Sequence, residues 1–251
     1  MKKYFLMLAV ALVSLVGCEN SNDPTPDVRG TLDVTEKSVE VAFYGGEGVI
    51  NYTITNGAES DKPAVTSNVD WVNNITVADA ITFNVDFNNV EQLRIATLNV
   101  TYGEQSFEVL VRQAEGMVPD VEFVATALNG EYFGTQYSHD PNYFIILSKN
   151  GTTGWSDLYL DTYYRFDIYS KTYPDASATT TVLPQGVFAY DYLNSGVGET
   201  FGDFYSVRME TFESGSYQET KIEDGVVIVT ENKIEAILKM ADGKVKKVLI
   251  K

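Results

Sequence analysis

The chain reads as all-β: a first sandwich of short strands, then a second antiparallel β-sandwich or small β-barrel. Three observations predict this. Apolar and polar residues alternate with a period of two from Leu32 to the C-terminus. The alternating runs are rich in β-branched and aromatic residues, and Gly, Asn and Asp punctuate them. No segment carries a helical stripe of apolar residues.

The first 30 residues lie outside this pattern. Lys2 and Lys3 precede an apolar run from Tyr4 to Val16, the layout of a signal peptide. The run has 13 residues, too few for a bilayer that needs about 20. It ends in Leu15-Val16-Gly17-Cys18, with the only cysteine of the chain. This resembles the lipobox of bacterial lipoproteins. The resemblance implies removal of residues 1–17, acylation of Cys18 and anchoring to a membrane by lipid. Each buried acyl CH₂ contributes about 0.8 kcal/mol, so more than one chain holds stably. Residues 18–30 are polar with two prolines and read as a flexible tether. Glu19 and Asp23 loosely resemble the acidic signal of Bacteroidetes lipoproteins that face the cell exterior from the outer membrane.

With no cysteine after Cys18, no disulfide forms within the mature chain, and the domains rest on their own cores. The 35 acidic residues against 18 basic ones give a net charge of −17, and loss of Lys2 and Lys3 makes the mature chain more acidic. Such a chain repels nucleic acid and anionic headgroups. The partners expected are therefore the membrane through lipid, a glycan or an envelope protein, and no nucleic acid.

Residues 31–115 hold the first set of strands. Ser38–Phe43, Val49–Ile54, Ala80–Phe87, Arg94–Tyr102 and Ser106–Gln113 alternate, with Gly45-Gly46 and Asn88-Asn89 between them. Six or seven strands in this length predict a sandwich of immunoglobulin-like size. The order also resembles the BACON domain of Bacteroidetes proteins. Its carriers are Leu32-x-Val34, Gly45-Gly46, Trp71, Ile81-x-Phe83-x-Val85 with Asn88, Arg94-x-Ala96-x-Leu98-x-Val100 and Val109-x-Val111-x-Gln113. The resemblance implies an immunoglobulin-like fold and a glycan-handling context, with spacer duty as the alternative. Trp71 carries two readings, a cap on the core beside Val72 or a face on which a sugar stacks. Arg94 and Gln113 read as structural partners.

Glu115–Asp120 reads as a linker, and residues 120–251 form the second all-β part. Composition shifts there: 12 of the 16 tyrosines lie beyond residue 120. Strands are expected at Tyr143–Ser148, Ser156–Lys171, Gly186–Tyr192, Phe204–Phe212, Gly225–Thr230, Lys233–Met240 and Val245–Ile250. Asp242-Gly243 marks the clearest hairpin. Tyr132-Phe133-Gly134, Asn142-Tyr143-Phe144-Ile145 and Leu183-Pro184-x-Gly186 are similar to tyrosine-rich β-domains of Bacteroidetes surface lipoproteins. Phe188, Tyr190 and Tyr192 share a face and read as core.

The run 155–171 is the candidate ligand surface. Its even positions, including Leu158, Leu160, Tyr164, Phe166 and Ile168, form a core face. Its odd positions are Trp155, Asp157, Tyr159, Asp161, Tyr163, Arg165, Asp167, Tyr169 and Lys171. Successive residues on one face lie about 7 Å apart. Rows of aromatics and carboxylates suit sugar rings and hydroxyls, and also serve as plain cross-strand pairs. Trp155, Asp157, Tyr159, Asp161 and Tyr163, with Trp71, are the expected contacts. Burial of the odd face would favour a structural role.

Catalytic signals are sparse. His139 is the single histidine, so with Cys18 expected to be acylated and no second histidine, a cysteine–histidine dyad or a zinc site of cysteines and histidines is excluded within the chain. No Gly-rich phosphate loop, HExxH, GxSxG or EF-hand pattern occurs. No catalytic residue, metal ligand or cofactor is assigned. A non-catalytic glycan-binding lipoprotein is the first reading, a spacer or protein-interaction lipoprotein the second, and a glycosidase using two of the many acids the third.

Overall fold

A computed structural model describes residues 30–58, 60–136, 138–151, 161–174, 182–211 and 216–250. Cys18 and the leader lie outside the described residues. Strands and turns make up what is described, with no helix among the described residues.

Eight strands form the first part: β1 (Thr31–Val34), β2 (Ser38–Val41), β3 (Gly46–Thr55), β4 (Ala64–Ser67), β5 (Val72–Val77), β6 (Ala80–Val85), β7 (Arg94–Tyr102) and β8 (Gln105–Gln113). They make two four-stranded sheets, in the orders β1-β3-β6-β5 and β2-β8-β7-β4. Strand β2 runs parallel to β8, and the other pairs are antiparallel. This is the immunoglobulin-like arrangement, with the first strand split between the sheets. The period-two pattern explains the core. Ile81, Phe83 and Val85 point inward from one sheet and Ala96, Leu98, Val100, Val109 and Val111 from the other, all buried in one cluster.

Gln113 and Arg94 are structural partners. Arg94 Nε donates to Gln113 Oε1 at 2.6 Å. The fully buried Gln113 amide in turn donates to the carbonyls of Ala42, Phe43 and Asp86. Both sheets' ends are tied at this point.

Ten strands form the second part: β9 (Val121–Val124), β10 (Ala127–Gly134), β11 (Asn142–Ser148), β12 (Tyr163–Tyr169), β13 (Gly186–Asp191), β14 (Thr200–Gly202), β15 (Val207–Thr211), β16 (Tyr217–Thr230), β17 (Lys233–Met240) and β18 (Val245–Ile250). Five of them close a small barrel. β12 pairs β14 and β15, β14 pairs β13, and both β13 and β15 pair β16. β16–β17–β18–β9 continue on one side and β11–β10 on the other. The barrel core holds Tyr164, Phe166, Ile168, Phe188, Phe201, Ile222, Val227 and Leu238. β16 bends at Gly225, where φ is +143°. A Cβ there would sit 2.3 Å from the Ile237 carbonyl, so the close strand approach needs glycine. The β17–β18 hairpin turns at Asp242-Gly243, as its dipeptide predicts.

Three expectations are refined. The described strand of the 155–171 run is Tyr163–Tyr169, and 152–160 lie outside the described residues. The expected strand Phe204–Phe212 begins later, at Val207, after a turn at 203–205. Phe188 is core and Tyr190 packs on it, whereas Tyr192 stands in a turn, exposed.

The segment 115–120 is pinned at both ends. Gly116 N donates to the Val90 carbonyl, and Asp120 N to the Val245 carbonyl. An apolar joint of Phe43, Val226 and Ile237, with Tyr44, Phe87, Met117 and Val245 around it, spans the two parts.

Replacing Gln113 by Leu removes one donor from each of the Ala42, Phe43 and Asp86 carbonyls and the acceptor of Arg94 Nε, at a fully buried position. Urea unfolding is expected to show a loss of roughly 2–3 kcal/mol. An unchanged midpoint would show that the amide network contributes nothing net.

Candidate functional site

Strand β12 separates two environments because its side chains alternate. Tyr164, Phe166 and Ile168 enter the barrel. Tyr163, Arg165, Asp167 and Tyr169 lie on the outer face, beside Ser148, Ile146, Phe144 and Asn142 of β11.

A cavity of about 590 Å³ stands on this outer face. Arg165, Asp167 and Tyr169 of β12, with Asn142 and Phe144 of β11, line its base. Phe133 and Gly134 from the end of β10, Ser138, Asn194 and Tyr205 complete it. Phe133 is an extra residue: Tyr132 pairs with Tyr143 and Gly134 with Asn142, so a bulge lies between. A bulge re-aims the side chain it carries. The Phe133 ring thereby meets Phe144 edge-on at 5.6 Å. Tyr205 meets Phe144 from the other side at 6.3 Å. Phe133 and Tyr205 are each about half exposed.

The charged groups are held in place. Arg165 Nε donates to the Tyr205 carbonyl at 2.7 Å. Its guanidinium lies 5.5 Å from the Phe144 ring centre and 5.9 Å from that of Tyr205, within cation–π range. Asp167 is only 4% exposed. Its carboxylate accepts from Asn142 Nδ2 at 2.7 Å and from the Tyr169 hydroxyl at 2.6 Å. Burial pushes the Asp167 carboxyl up, against the opposing effect of those hydrogen bonds and of Arg165. Burial also pushes the Tyr169 phenol up, and the hydrogen bond to Asp167 adds to it. Rim loops are fastened together: Ser138 Oγ donates to the Asp140 carbonyl, and Gly198 N to the Asp140 carboxylate.

The residues predicted from the sequence fall in several places. Asp161 is fully buried and accepts the Asn150 backbone N–H with both oxygens, at 3.1 and 3.0 Å. Tyr163 is buried against Ile146 and Met209. Neither lines the cavity. Trp71 packs on the sandwich core with the Arg94 guanidinium 4.2 Å from its ring centre, so one indole face is occupied. Trp155, Asp157 and Tyr159 lie outside the described residues. Of the odd row, Asp161, Tyr163, Asp167 and Tyr169 are buried and Arg165 half-buried, which favours a structural role for most of that face; the cavity is lined by its later members Arg165, Asp167 and Tyr169. Phe133, Phe144 and Tyr205 were not foreseen as contacts. Tyr132-Phe133-Gly134 and Asn142-Tyr143-Phe144 stand out in the sequence, but what they meet depends on the bulge and on pairing with β12.

His139 is largely exposed and pairs with Asp140, outside the cavity lining. No group of three or more metal-binding side chains occurs among the described residues. A second cavity of about 410 Å³ is lined mainly by aliphatic residues such as Leu128, Leu183, Val229 and Ile250, and has no aromatic wall.

No family model matches this chain, and no curated protein matches it. Among solved structures, a Bacteroides ovatus GH5 xyloglucanase in complex with a XXXG heptasaccharide is 20% identical, at a TM-score of 0.30. The match covers 36% of this chain and 20% of that one. The Yersinia pseudotuberculosis adhesin InvE is 12% identical at a TM-score of 0.23, over 88% of this chain and 58% of that one. Neither overlap is close enough to bear on activity. Fold and site together define an all-β protein with an immunoglobulin-like sandwich, a five-stranded barrel and an aromatic-walled cavity beside it.

The raised proton affinity of Asp167 has a consequence for stability. A carboxyl that is easier to protonate when folded contributes most below its unfolded value, near 3.8. That contribution is lost as pH rises through the folded value. Asp167→Asn carries no such charge. The Tm difference, variant minus wild type, is expected to increase from about pH 4 to about pH 7. A difference that decreases would show a carboxylate stabilised by its surroundings.

Proposed function

We propose that this protein is a non-catalytic, lipid-anchored glycan-binding protein of the outer cell surface, with its sugar seat on the outer face of β12. One observation carries the reading: three aromatic rings converge with a guanidinium, a buried carboxylate and an amide on one cavity. Aromatic faces take the apolar C–H surface of a sugar ring, and fixed polar groups take its hydroxyls. The volume is typical of small-ligand sites, roughly 300–1,000 Å³. The lipobox resemblance at Cys18 supports the anchor, and the BACON resemblance of residues 31–115 supports the glycan context. In this reading the N-terminal sandwich is a spacer, since Arg94 already covers a face of Trp71.

A protein partner is the second reading. Phe204, Tyr192 and Leu193 are each more than two-thirds exposed in turns near the cavity, and a protein interface uses such residues.

Calorimetry of residues 19–251 against a glycan panel tests the first reading. Phe144→Ala and Tyr205→Ala are expected to weaken the glycan bound by at least about tenfold each, or about 1.4 kcal/mol. Loss only with Trp71→Ala would move the site to the sandwich. Absence of any glycan affinity, together with a partner co-purifying from membranes, would favour the second reading.

The anchor is tested separately in cells. Cys18→Ala is expected to abolish incorporation of an alkyne-labelled fatty acid and to release the chain from the membrane fraction. Continued labelling of the variant would refute acylation at Cys18.

A further inference from the structure

We infer that the cavity selects saccharides bearing a carboxylate, such as uronic acids, and that Arg165 is the residue that reads it. This rests on the glycan-binding reading of the same cavity. Arg165 is half-buried and spends only Nε on the protein, at the Tyr205 carbonyl. Its two terminal nitrogens have no hydrogen-bond acceptor and no ion pair among the described residues. The aromatic rings of Phe144 and Tyr205 flank it, which fixes the guanidinium without neutralising its charge. Among the described residues it is the only cation lining the cavity.

Asp167 does not cancel this preference. It is 4% exposed, and both its oxygens are engaged, by Asn142 and Tyr169. It thus presents little acceptor surface to a ligand, while its burial favours the protonated form. What the cavity offers is donors, set in the planar fork that matches a carboxylate with two parallel hydrogen bonds. The net charge of −17 repels anions in general. An anionic sugar held here is therefore held by local contacts and not by the field of the whole protein.

The test titrates residues 19–251 with oligogalacturonate, its methyl ester, its carboxyl-reduced form, a sulfated derivative of that reduced form, and a wider set of acidic and neutral oligosaccharides. An acidic saccharide is expected to bind at least about tenfold tighter than its own ester or reduced form. Arg165→Gln is expected to erase that difference, so that in the variant the acidic saccharide binds no tighter than its own ester or reduced form. Arg165→Lys keeps the charge but loses the fork, and is expected to retain only part of the difference, with a Tm near that of wild type. If Arg165→Gln does not fold, the lysine variant decides, and a full preference in it overturns the role of the fork.

Neutral and acidic forms binding equally would overturn the inference and leave the glycan reading standing. Sulfated forms binding as well as carboxylates would overturn the carboxylate assignment. No saccharide binding at all would remove the glycan reading and this inference with it.

Discussion

Between residues 165 and 168 strand β12 passes from one edge partner to another. β15 bonds to it at Tyr163–Arg165 and β14 at Ile168–Tyr169. Neither reaches the peptide of Asp167. A buried N–H without an acceptor costs free energy comparable to a lost hydrogen bond. Ser206 answers it, its buried hydroxyl accepting the Asp167 N–H at 3.1 Å. That stitch, with the Arg165–Tyr205 bond beside it, holds the turn 203–206 against the outer face of β12. The same turn joins β14 to β15, so the ring of five strands closes through it. Barrel and cavity thus share one constraint: a strand edge divided between two short partners, with side chains completing what the ladder omits.

The balance of forces at the base of the cavity follows from this. Burying a carboxylate costs several kcal/mol after relaxation. Hydrogen bonds to a charged group return about 1.5–3 kcal/mol each, and Asp167 has two from side chains. Burial outweighs them, so the proton affinity of Asp167 rises, with the hydrogen bonds and Arg165 opposing it. The carboxylate is better explained by what it orients. It fixes the Asn142 amide and the Tyr169 hydroxyl, both in the cavity lining.

Much of this was legible in the sequence, and the limits have physical causes. Period-two alternation located the strands of the sandwich, and Arg94 and Gln113 read there as structural partners in strands and not as ligand contacts, which their mutual hydrogen bond bears out. The even and odd rows of 155–171 correctly separate barrel interior from outer face, at least from Tyr163 to Tyr169. Alternation fixes which side a residue faces but not what covers that side. Asp161 is covered because the Asn150 backbone closes on it, and Tyr163 because Met209 arrives from β15. Both partners are distant in sequence or set by a loop. Phe133 keeps the side that alternation assigns, that of Glu131 opposite Phe144, but the bulge sets Gly134 in its place opposite Asn142, and period two cannot foresee that shift. Tyr205 was expected within a strand and lies instead in the turn that the divided edge of β12 requires.

Arg165 shows how folding and recognition share a side chain without conflict. Its Nε bond to the Tyr205 carbonyl belongs to the fold, and it is made before any ligand arrives. The guanidinium plane is thereby set, and the rings of Phe144 and Tyr205 limit its rotation. Preorganised groups lose less conformational entropy on binding, and that loss is about 0.5–1.5 kcal/mol for a mobile side chain. A lysine at this position would bring the same charge on a freely rotating stem, and one ammonium would have to choose between the carbonyl and the ligand. Arginine resolves the choice through its geometry. One nitrogen is bonded to the backbone that shapes the cavity, and in the proposed reading the other two serve the ligand.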